Sequence, residues 1–264
     1  MFEGRCSEEV LVCGRGDYHG WDIVSPRAPP DGGSRMKSHS RVVATILPCL
    51  ILCIALGLLP GAESVTVVHF ADQNLEAAVR GTIGKPIGDI TAEDMGRLTS
   101  LTAQGQGIQN LSGLEYAMNL QHLELRGNRI SDLSPIAGLT KLQTLDLDSN
   151  QVSDLSPLAG LTELQNLYLN ENQVSDLSPL AGLTELQGLS LNENQVSDLS
   201  PLAGLTDLQY SLSLWGNQVS DLSPIAGLTK LQTLDLTRNQ VSDLSPIAGL
   251  TELQNLYLNE NQVS

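Results

Sequence analysis

An asparagine recurs in this chain at an almost constant interval. The intervals are 22, 22, 22, 23, 22 and 22 residues, and the positions are Asn128, Asn150, Asn172, Asn194, Asn217, Asn239 and Asn261. Six prolines keep the same rhythm, from Pro135 to Pro246. A period of this length predicts an architecture in which one short structural unit is stacked repeatedly along the chain.

Each residue type in the unit has a physical role. In residues 136–157, Leu145 and Leu147 alternate with polar residues, which indicates a short strand with both leucines on its inward face. Asn150 turns the chain out of that strand, and its amide is suited to backbone groups that the turn leaves unpaired. Ser156 and Pro157 are typical of the start of a short helical turn. One unit cannot bury its own leucines, so the seven asparagines are predicted to form a buried structural ladder through the stack.

The leucine spacing identifies the fold class. The pattern L-x-x-L-x-L-x-x-N-x-V/I is that of the leucine-rich repeat, and it occurs in seven copies. We therefore predict an α/β solenoid, a leucine-rich repeat horseshoe with parallel β-strands on the concave face and short helical turns on the convex side. Residues 102–264 are predicted to hold one degenerate repeat, beginning at Ile108, and seven regular repeats.

A different pattern over residues 65–101 predicts an α-helical N-terminal cap. One helix follows Asp72, with apolar side chains four residues apart. Thr91 and Asp94 open a second helix, which is expected to end near Leu101. A cap of this kind would hide the first strand of the stack from water.

Residues 36–64 have the composition of a secretory signal peptide. An uncharged run over residues 42–59 follows Lys37 and Arg41, and small residues follow the run. The alternative is an uncleaved membrane anchor, because 18 residues approach the length of a span. Met36 is the predicted start, which makes residues 1–35 a non-native or disordered extension.

Charge and cysteine content exclude several classes of function. The chain has 14 basic and 30 acidic residues, and residues 65–264 hold 8 and 23 of them. Nucleic acids and anionic membranes favour a basic surface, so neither is an expected partner, and membrane contact is expected only through the signal peptide or an uncleaved anchor. All four cysteines lie in the first 53 residues, so the repeats hold no disulfide or thiolate metal site. With only His69 and His122 in residues 65–264, no catalytic grouping or cofactor is predicted, and the chain is expected not to be an enzyme.

Four motifs resemble those of bacterial internalin-type proteins, and the resemblance covers about residues 66–264. They are the phrase Phe70-x-Asp72-x-x-Leu75-x-x-x-Val79, the stretch Gly88–Asp94, the run Leu111–Glu115 and the repeated Ser-Asp-Leu-Ser-Pro units. The resemblance implies a secreted or surface-attached protein whose concave strand face binds proteins of a host or of a neighbouring cell. The chain departs from that family because no immunoglobulin-like domain and no cell-wall sorting signal follow the repeats.

The polar positions beside the strand leucines form the candidate ligand-binding face. Seven strands about 4.8 Å apart give a face roughly 29 Å long, enough for a protein interface. Trp215 is the first candidate, because this position is Arg, Asp, Asn or Thr in the other repeats and exposed aromatic residues are common binding hot spots. The alternative is that Trp215 only covers a bulge beside Tyr210. The other candidates are Tyr168, Tyr257, Glu124, Arg126, Asp146, Asp148, Asn170, Asn192, Ser213 and Asp235.

The repeated aspartates are interpreted as structural. One occurs in every unit, from Asp132 to Asp243, which favours capping of a turn over metal binding. Asp146, Asp148 and Glu124 form a further acidic group, but no single loop supplies the six to eight oxygens that Ca²⁺ needs. No metal ligand is predicted.

Two stretches of the array are nearly identical. Residues 136–157 and 225–246 match at 20 of 22 positions, and residues 158–175 and 247–264 match at 17 of 18. The offset of 89 residues is four repeats plus one residue, which indicates an internal duplication. The extra residue lies within residues 208–212, where a bulge is expected to re-aim the strand.

The array ends at Ser264 without a polar cap, so Leu256 and Leu258 are expected to face water. The favoured interpretation is a fragment of a larger surface protein, and edge-to-edge self-association is the second.

The sequence patterns, together with what the resemblance implies, predict a secreted or cell-surface bacterial module that recognises a protein ligand with a basic patch, in adhesion or in interaction with a host or another cell. A carbohydrate is the alternative ligand. A self-associating structural envelope protein is the alternative function.

Overall fold

The computed structural model describes residues 65–263. The extension predicted over residues 1–35 and the signal peptide predicted over residues 36–64 lie outside the described residues. Within residues 65–263, no helix combines the length and the hydrophobicity needed to cross a membrane.

Eight short strands form one open parallel sheet in which each strand pairs with its neighbours in chain order. The strands are β1 (Ser100–Thr102), β2 (His122–Glu124), β3 (Thr144–Asp146), β4 (Asn166–Tyr168), β5 (Gly188–Ser190), β6 (Ser211–Ser213), β7 (Thr233–Asp235) and β8 (Asn255–Tyr257). One short 3-10 turn separates each pair of successive strands: Leu114–Tyr116, Ser134–Ile136, Ser156–Leu158, Ser178–Leu180, Ser200–Leu202, Ser223–Ile225 and Ser245–Gly249. This arrangement confirms the predicted leucine-rich repeat horseshoe.

Two helices precede the sheet, α1 (Gln73–Ile83) and α2 (Ala92–Met95). The Asp72 carboxylate caps α1, and its second oxygen accepts a hydrogen bond from the backbone N–H of Gln109 at 2.8 Å. One side chain therefore begins the helix and ties it to the first repeat. Phe70 adds a second tie, because it packs against Gly113, where a Cβ would lie 2.7 Å from its ring.

The sheet has one strand more than the seven expected, and α2 is shorter than expected. The helix α2 ends at Met95, whereas the sequence predicted an end near Leu101. Leu101 is fully buried in β1, in register with Leu123 of β2. The stack gains more by burying Leu101 in line with the other leucines than a second cap helix gains from an extra turn.

The core is a continuous stack of leucine, isoleucine and valine side chains. Inward leucines in adjacent strands lie directly opposite each other, as Leu145 and Leu167 do, and both are fully buried. Each buried leucine contributes about 2 kcal/mol of transfer free energy only when a neighbouring repeat covers it. Stability therefore belongs to the array and not to the single unit.

An asparagine four residues after each strand from β2 to β8 joins two repeats, and all of these asparagines except Asn261 are buried. The amide of Asn194 donates to the carbonyls of Leu169 at 2.8 Å and Leu191 at 3.0 Å, and its oxygen accepts the N–H of Val174 at 2.9 Å. Equivalent bonds are made by Asn128, Asn150, Asn172, Asn217, Asn239 and Asn261. These bonds pair backbone groups that the strand leaves unpaired inside the core.

The residue before each of these asparagines has left-handed backbone geometry. Gly127 and Gly216 occupy this position with φ of 71° and 70°, and glycine adopts such angles freely. Five repeats hold side-chain-bearing residues there, with φ between 54° and 56°: Ser149, Glu171, Glu193, Arg238 and Glu260. The turn is therefore strained in most repeats.

The extra residue of the fifth regular repeat is absorbed immediately before β6. At every strand from β2 to β8 except β7, two successive N–H groups share one carbonyl of the preceding repeat, whereas at β7 the N–H groups of Gln232 and Thr233 bond separately to the carbonyls of Gln209 at 2.9 Å and Tyr210 at 3.1 Å. The register of β6 with both neighbours is unbroken. The expectation that a bulge re-aims the strand was wrong. The extra residue instead lies directly before β6, where the Tyr210 side chain is half exposed.

We expect Asn194→Ala to lower the free energy of unfolding by about 2–3 kcal/mol, because it leaves buried backbone groups of two repeats without partners. Gln195→Ala is the matched control, since Gln195 is adjacent and exposed, and it should change stability by less than about 0.5 kcal/mol. Urea unfolding measures both. Equal stability of the two variants would show that the asparagine is not structural.

We expect Glu193→Gly to stabilise the fold by up to about 1 kcal/mol, because it relieves left-handed strain at φ 54°. The reverse change, Gly216→Ala, should destabilise the fold by a similar amount, since its Cβ would meet the end of the Glu193 side chain at 3.2 Å. Thermal unfolding of both variants checks the pair. A Glu193→Gly variant less stable than the parent chain would contradict this account.

Candidate binding face

The residues that alternate with the inward leucines form three columns across the sheet, and each repeat contributes one residue to each column. We call these three columns the concave face. The first column begins each strand from β2 to β8 and runs from His122 to Asn255, and the second ends each of these strands and runs from Glu124 to Tyr257. The third column lies two residues further on and runs from Arg126 to Asn259. Every candidate binding residue predicted from the sequence lies in the second or third column.

Part of the third column forms a second hydrogen-bond ladder, which sequence reasoning missed. The Oδ1 atom of Asp148 accepts the backbone N–H of Asn170 at 2.8 Å, and Asn170 Oδ1 accepts that of Asn192 at 2.8 Å. Asn192 Oδ1 in turn accepts the N–H of Trp215 at 2.9 Å. These three candidates therefore tie adjacent repeats together at the edge of the face. The only sequence signal was the run of short Asp and Asn side chains at one position of the repeat.

Trp215 is the place where this second ladder stops. Its indole has no acceptor to offer the next repeat, and the N–H of Thr237 bonds instead to Asp235 Oδ1 of its own strand at 2.9 Å. The half-buried ring lies beneath Arg238, whose guanidinium carbon is 5.6 Å from the ring centroid. Arg238 also donates to Glu260 at 2.9 Å. Tyr210 precedes β6 while Trp215 follows it, so the indole and the extra residue occupy opposite ends of the strand.

The other two aromatic candidates are in the second column. Tyr168 ends β4 with 38% of its surface exposed, and Tyr257 ends β8 with 47% exposed. Each lies in register with an aspartate of the preceding strand, Asp146 or Asp235. Between the two tyrosines, Ser213 is half-buried and Ser190 is buried, so the middle of the column consists of short polar side chains.

An acidic group lies at the N-terminal end of the face. The Asp146 carboxylate accepts the N–H of Asp148 at 2.9 Å, and Arg126 is 3.8 Å from Asp148. Partial burial raises the pKa of Asp146, and the nearby charges of Asp148 and Glu124 raise it further, against the lowering effect of the Asp148 N–H and of Arg126. No group of three or more His, Cys, Asp or Glu side chains within residues 65–263 is arranged to hold a metal ion.

The repeated aspartates lie away from this face, before the 3-10 turns. Each accepts the backbone N–H of the serine two residues later at 2.8 Å, as Asp176 does from Ser178. The same bond recurs at Asp132, Asp154, Asp198, Asp221 and Asp243. Hydrogen bonds from that serine lower the pKa of each of these carboxyl groups. These aspartates are turn caps.

The rim of the face and its three columns are strongly acidic. Along β2 to β8, these positions together with the left-handed turn position carry seven carboxylates, at Glu124, Asp146, Asp148, Glu171, Glu193, Asp235 and Glu260. Only two guanidinium groups accompany them, and both already have acidic partners: Arg126 faces Asp148, and Arg238 binds Glu260. The surplus charge on this side is negative.

Comparison with known proteins gives consistent matches along the repeat array. The family described as Leucine Rich repeats (2 copies) matches residues 119–160, 162–204, 184–227, 211–249 and 229–264. No curated protein matches the chain.

Three solved structures illustrate the structural similarity. An internalin C2 of Listeria monocytogenes is 40% identical, with 75% of this chain and 100% of that chain covered and a TM-score of 0.58. An internalin (inlF) of the same organism is 32% identical, with 77% and 74% covered and a TM-score of 0.57. A leucine-rich repeat protein of Leptospira interrogans is 28% identical, with 66% and 46% covered and a TM-score of 0.62.

We expect Asp146→Asn to raise the free energy of unfolding at neutral pH. When the pKa of a carboxyl is higher in the folded state than in the unfolded state, the free energy of unfolding falls as the pH rises through that folded-state pKa. The asparagine amide does not ionise, so it removes this loss, and its oxygen can still accept the N–H of Asp148. Denaturant unfolding at pH 7 and pH 3 tests the sign. The gain should be present at pH 7 and vanish at pH 3, and a gain independent of pH would contradict the assignment.

Proposed function

This chain belongs to the internalin-like leucine-rich repeat proteins, and on that premise we propose that it is a secreted or cell-surface module that binds a protein ligand on its concave face. Leucine-rich repeat proteins of this kind are commonly protein-interaction scaffolds. The interaction served would be adhesion or contact with a host or a neighbouring cell.

The observation that carries the proposal is Trp215. The preceding residues of its column, Asp148, Asn170 and Asn192, form a ladder between repeats, whereas the indole makes no such bond and the ladder ends there. A repeat with Asn or Asp at this position would stabilise the stack better. An aromatic side chain kept at a position where it weakens the scaffold is more consistent with contact to a partner than with support of the fold.

The dimensions of the face suit a protein partner. The seven strands β2 to β8, about 4.8 Å apart, span roughly 29 Å, and three columns of side chains give a width that brings the area near the roughly 800 Å² per side of a standard interface. The face is rigid, since every strand is bonded to its neighbours, so binding would require little ordering of this chain.

The test is capture of extracellular and envelope proteins by the tagged chain and by a Trp215→Ala variant. We expect a captured protein whose affinity falls about 30-fold or more with Trp215→Ala, in line with a loss of about 2 kcal/mol at a hot spot. Met118→Ala is the matched control, because Met118 is 51% exposed but lies outside the strands. Thermal unfolding of each variant checks that the fold is retained.

A partner bound equally by both variants would place recognition on another surface, and a glycan recovered instead of a protein would make the ligand a carbohydrate. Either result would overturn the proposal.

Binding of this partner should weaken as salt concentration rises. The negative charge of the face selects a partner with a basic patch, and ions screen such attraction between exposed groups. We expect the association rate to fall at least tenfold between about 0.05 M and about 0.5 M salt, as measured by surface plasmon resonance. An association rate independent of salt would reject the electrostatic contribution.

A further inference from the structure

The concave face carries one arrangement of side chains twice. Strands β3 and β4 place Thr144 beside Asn166 and Asp146 beside Tyr168. Strands β7 and β8 repeat this arrangement with the same residue types in the same register, with Thr233, Asn255, Asp235 and Tyr257. The duplication seen in the sequence therefore produces two matching Asp–Tyr pairs on one rigid sheet.

The two carboxylates are held in the same way. Oδ1 of Asp146 accepts the N–H of Asp148, and Oδ1 of Asp235 accepts the N–H of Thr237, each at 2.9 Å. Within the described residues, the second oxygen of each carboxylate has no hydrogen bond from the protein. Each pair thus combines an oriented carboxylate with a partly exposed tyrosine on the adjacent strand.

The two Asp–Tyr pairs are separated by residues with small side chains. Four strand spacings separate β3 from β7, a distance of about 19 Å. The second column between Tyr168 and Asp235 holds only Ser190 and Ser213, and the first column has Gly188 in β5, where the other regular repeats have a side chain. A ligand can therefore lie across β5 and β6 and reach both pairs.

The protein itself shows which chemistry suits such a pair. Arg238 lies over the Trp215 ring at 5.6 Å and binds the Glu260 carboxylate at 2.9 Å. A guanidinium held between an aromatic ring and a carboxylate combines a cation–π contact with a charge-assisted hydrogen bond. The Asp–Tyr pairs present the same two groups, and no arginine or lysine of the described residues forms a salt bridge with Asp146 or Asp235.

We propose that the two Asp–Tyr pairs bind two arginine side chains of one partner protein, presented about 19 Å apart. This inference rests on the proposed function and specifies the chemistry of its partner. Two subsites built from the same Asp–Tyr pairing on a rigid face give avidity to a ligand that fits their spacing, while a ligand with one arginine binds weakly. The concave face would then select its partner by the distance between two arginine guanidinium groups.

Rigid peptides of defined length test the spacing. In a polyproline helix, residues i and i+6 point to the same side and lie about 19 Å apart, and residues i and i+3 lie about 9 Å apart. Three dye-labelled polyproline peptides are compared by fluorescence anisotropy with the full chain at low salt. They carry two arginines at i and i+6, two arginines at i and i+3, or one arginine.

We expect the i+6 peptide to bind at least tenfold more tightly than the other two, which should differ from each other by no more than the statistical factor of about two. Asp146→Asn and Asp235→Asn should each reduce the affinity for the i+6 peptide to that of the one-arginine peptide. Glu185→Gln removes the same charge from an exposed site outside the strands and should leave the affinity unchanged.

Equal affinity of all three peptides, no binding, or an equal effect of Glu185→Gln would overturn the inference. Its failure is distinguishable from failure of the proposed function. A protein partner that depends on Trp215, found together with no preference for the i+6 peptide, would retain concave-face binding and reject the two-arginine mode.

Discussion

The asparagine that follows each strand from β2 to β8 is the constraint on which the rest of the structure depends. A strand of only three residues leaves most of the backbone of its repeat without strand partners, and much of that backbone runs through a leucine core. Each asparagine bonds carbonyls of two successive repeats and one N–H of the earlier repeat, so it fixes both the turn and the stacking distance. The left-handed residue before it is strained in five repeats, and the array tolerates this because the amide bonds hold the turn in place.

Because the core and the asparagines hold the repeats together, many side chains of the concave face are not needed for the stability of the stack. Some still contribute to it, because the second ladder engages Asp148, Asn170 and Asn192. Trp215, Tyr168 and Tyr257 take no side-chain part in that ladder. The division between residues that hold the repeats together and residues that are free to vary is what lets one scaffold acquire different ligands.

Most of the fold could be predicted from the sequence because the repeat gives the same answer many times. The alternation of Leu145 and Leu147 predicted the strands, and the period of Asn150 predicted a stack, with the strand register following from both. The first strand was missed because only residues 96–99 separate α2 from β1 and Leu101 fits a helical pattern. Its spacing of 22 residues from Leu123 was the available signal.

What the sequence did not reveal depends on contacts between repeats. The backbone N–H of Asn170 donates to the Asp148 carboxylate 22 positions earlier, and nothing in the residues next to Asp148 distinguishes it from a polar residue without such a bond. The same holds for the extra residue, because its effect on the strand depends on which carbonyls the N–H groups of Gln232 and Thr233 reach in the preceding repeat. The binding roles assigned to Trp215 and the two tyrosines stay predictions, since they concern a partner and not the fold.

Hydroxyl-radical footprinting of the chain with its captured partner is the most direct test of concave-face recognition. Apart from Tyr210, which immediately precedes β6, the Trp, Tyr and Met side chains of the repeats divide between Tyr168, Trp215 and Tyr257 on the concave face and Tyr116 and Met118 outside the strands. We predict that the partner lowers oxidation of the first three and leaves the other two unchanged. Protection of Tyr116 and Met118, with Tyr168, Trp215 and Tyr257 oxidised as in the free protein, would contradict the account.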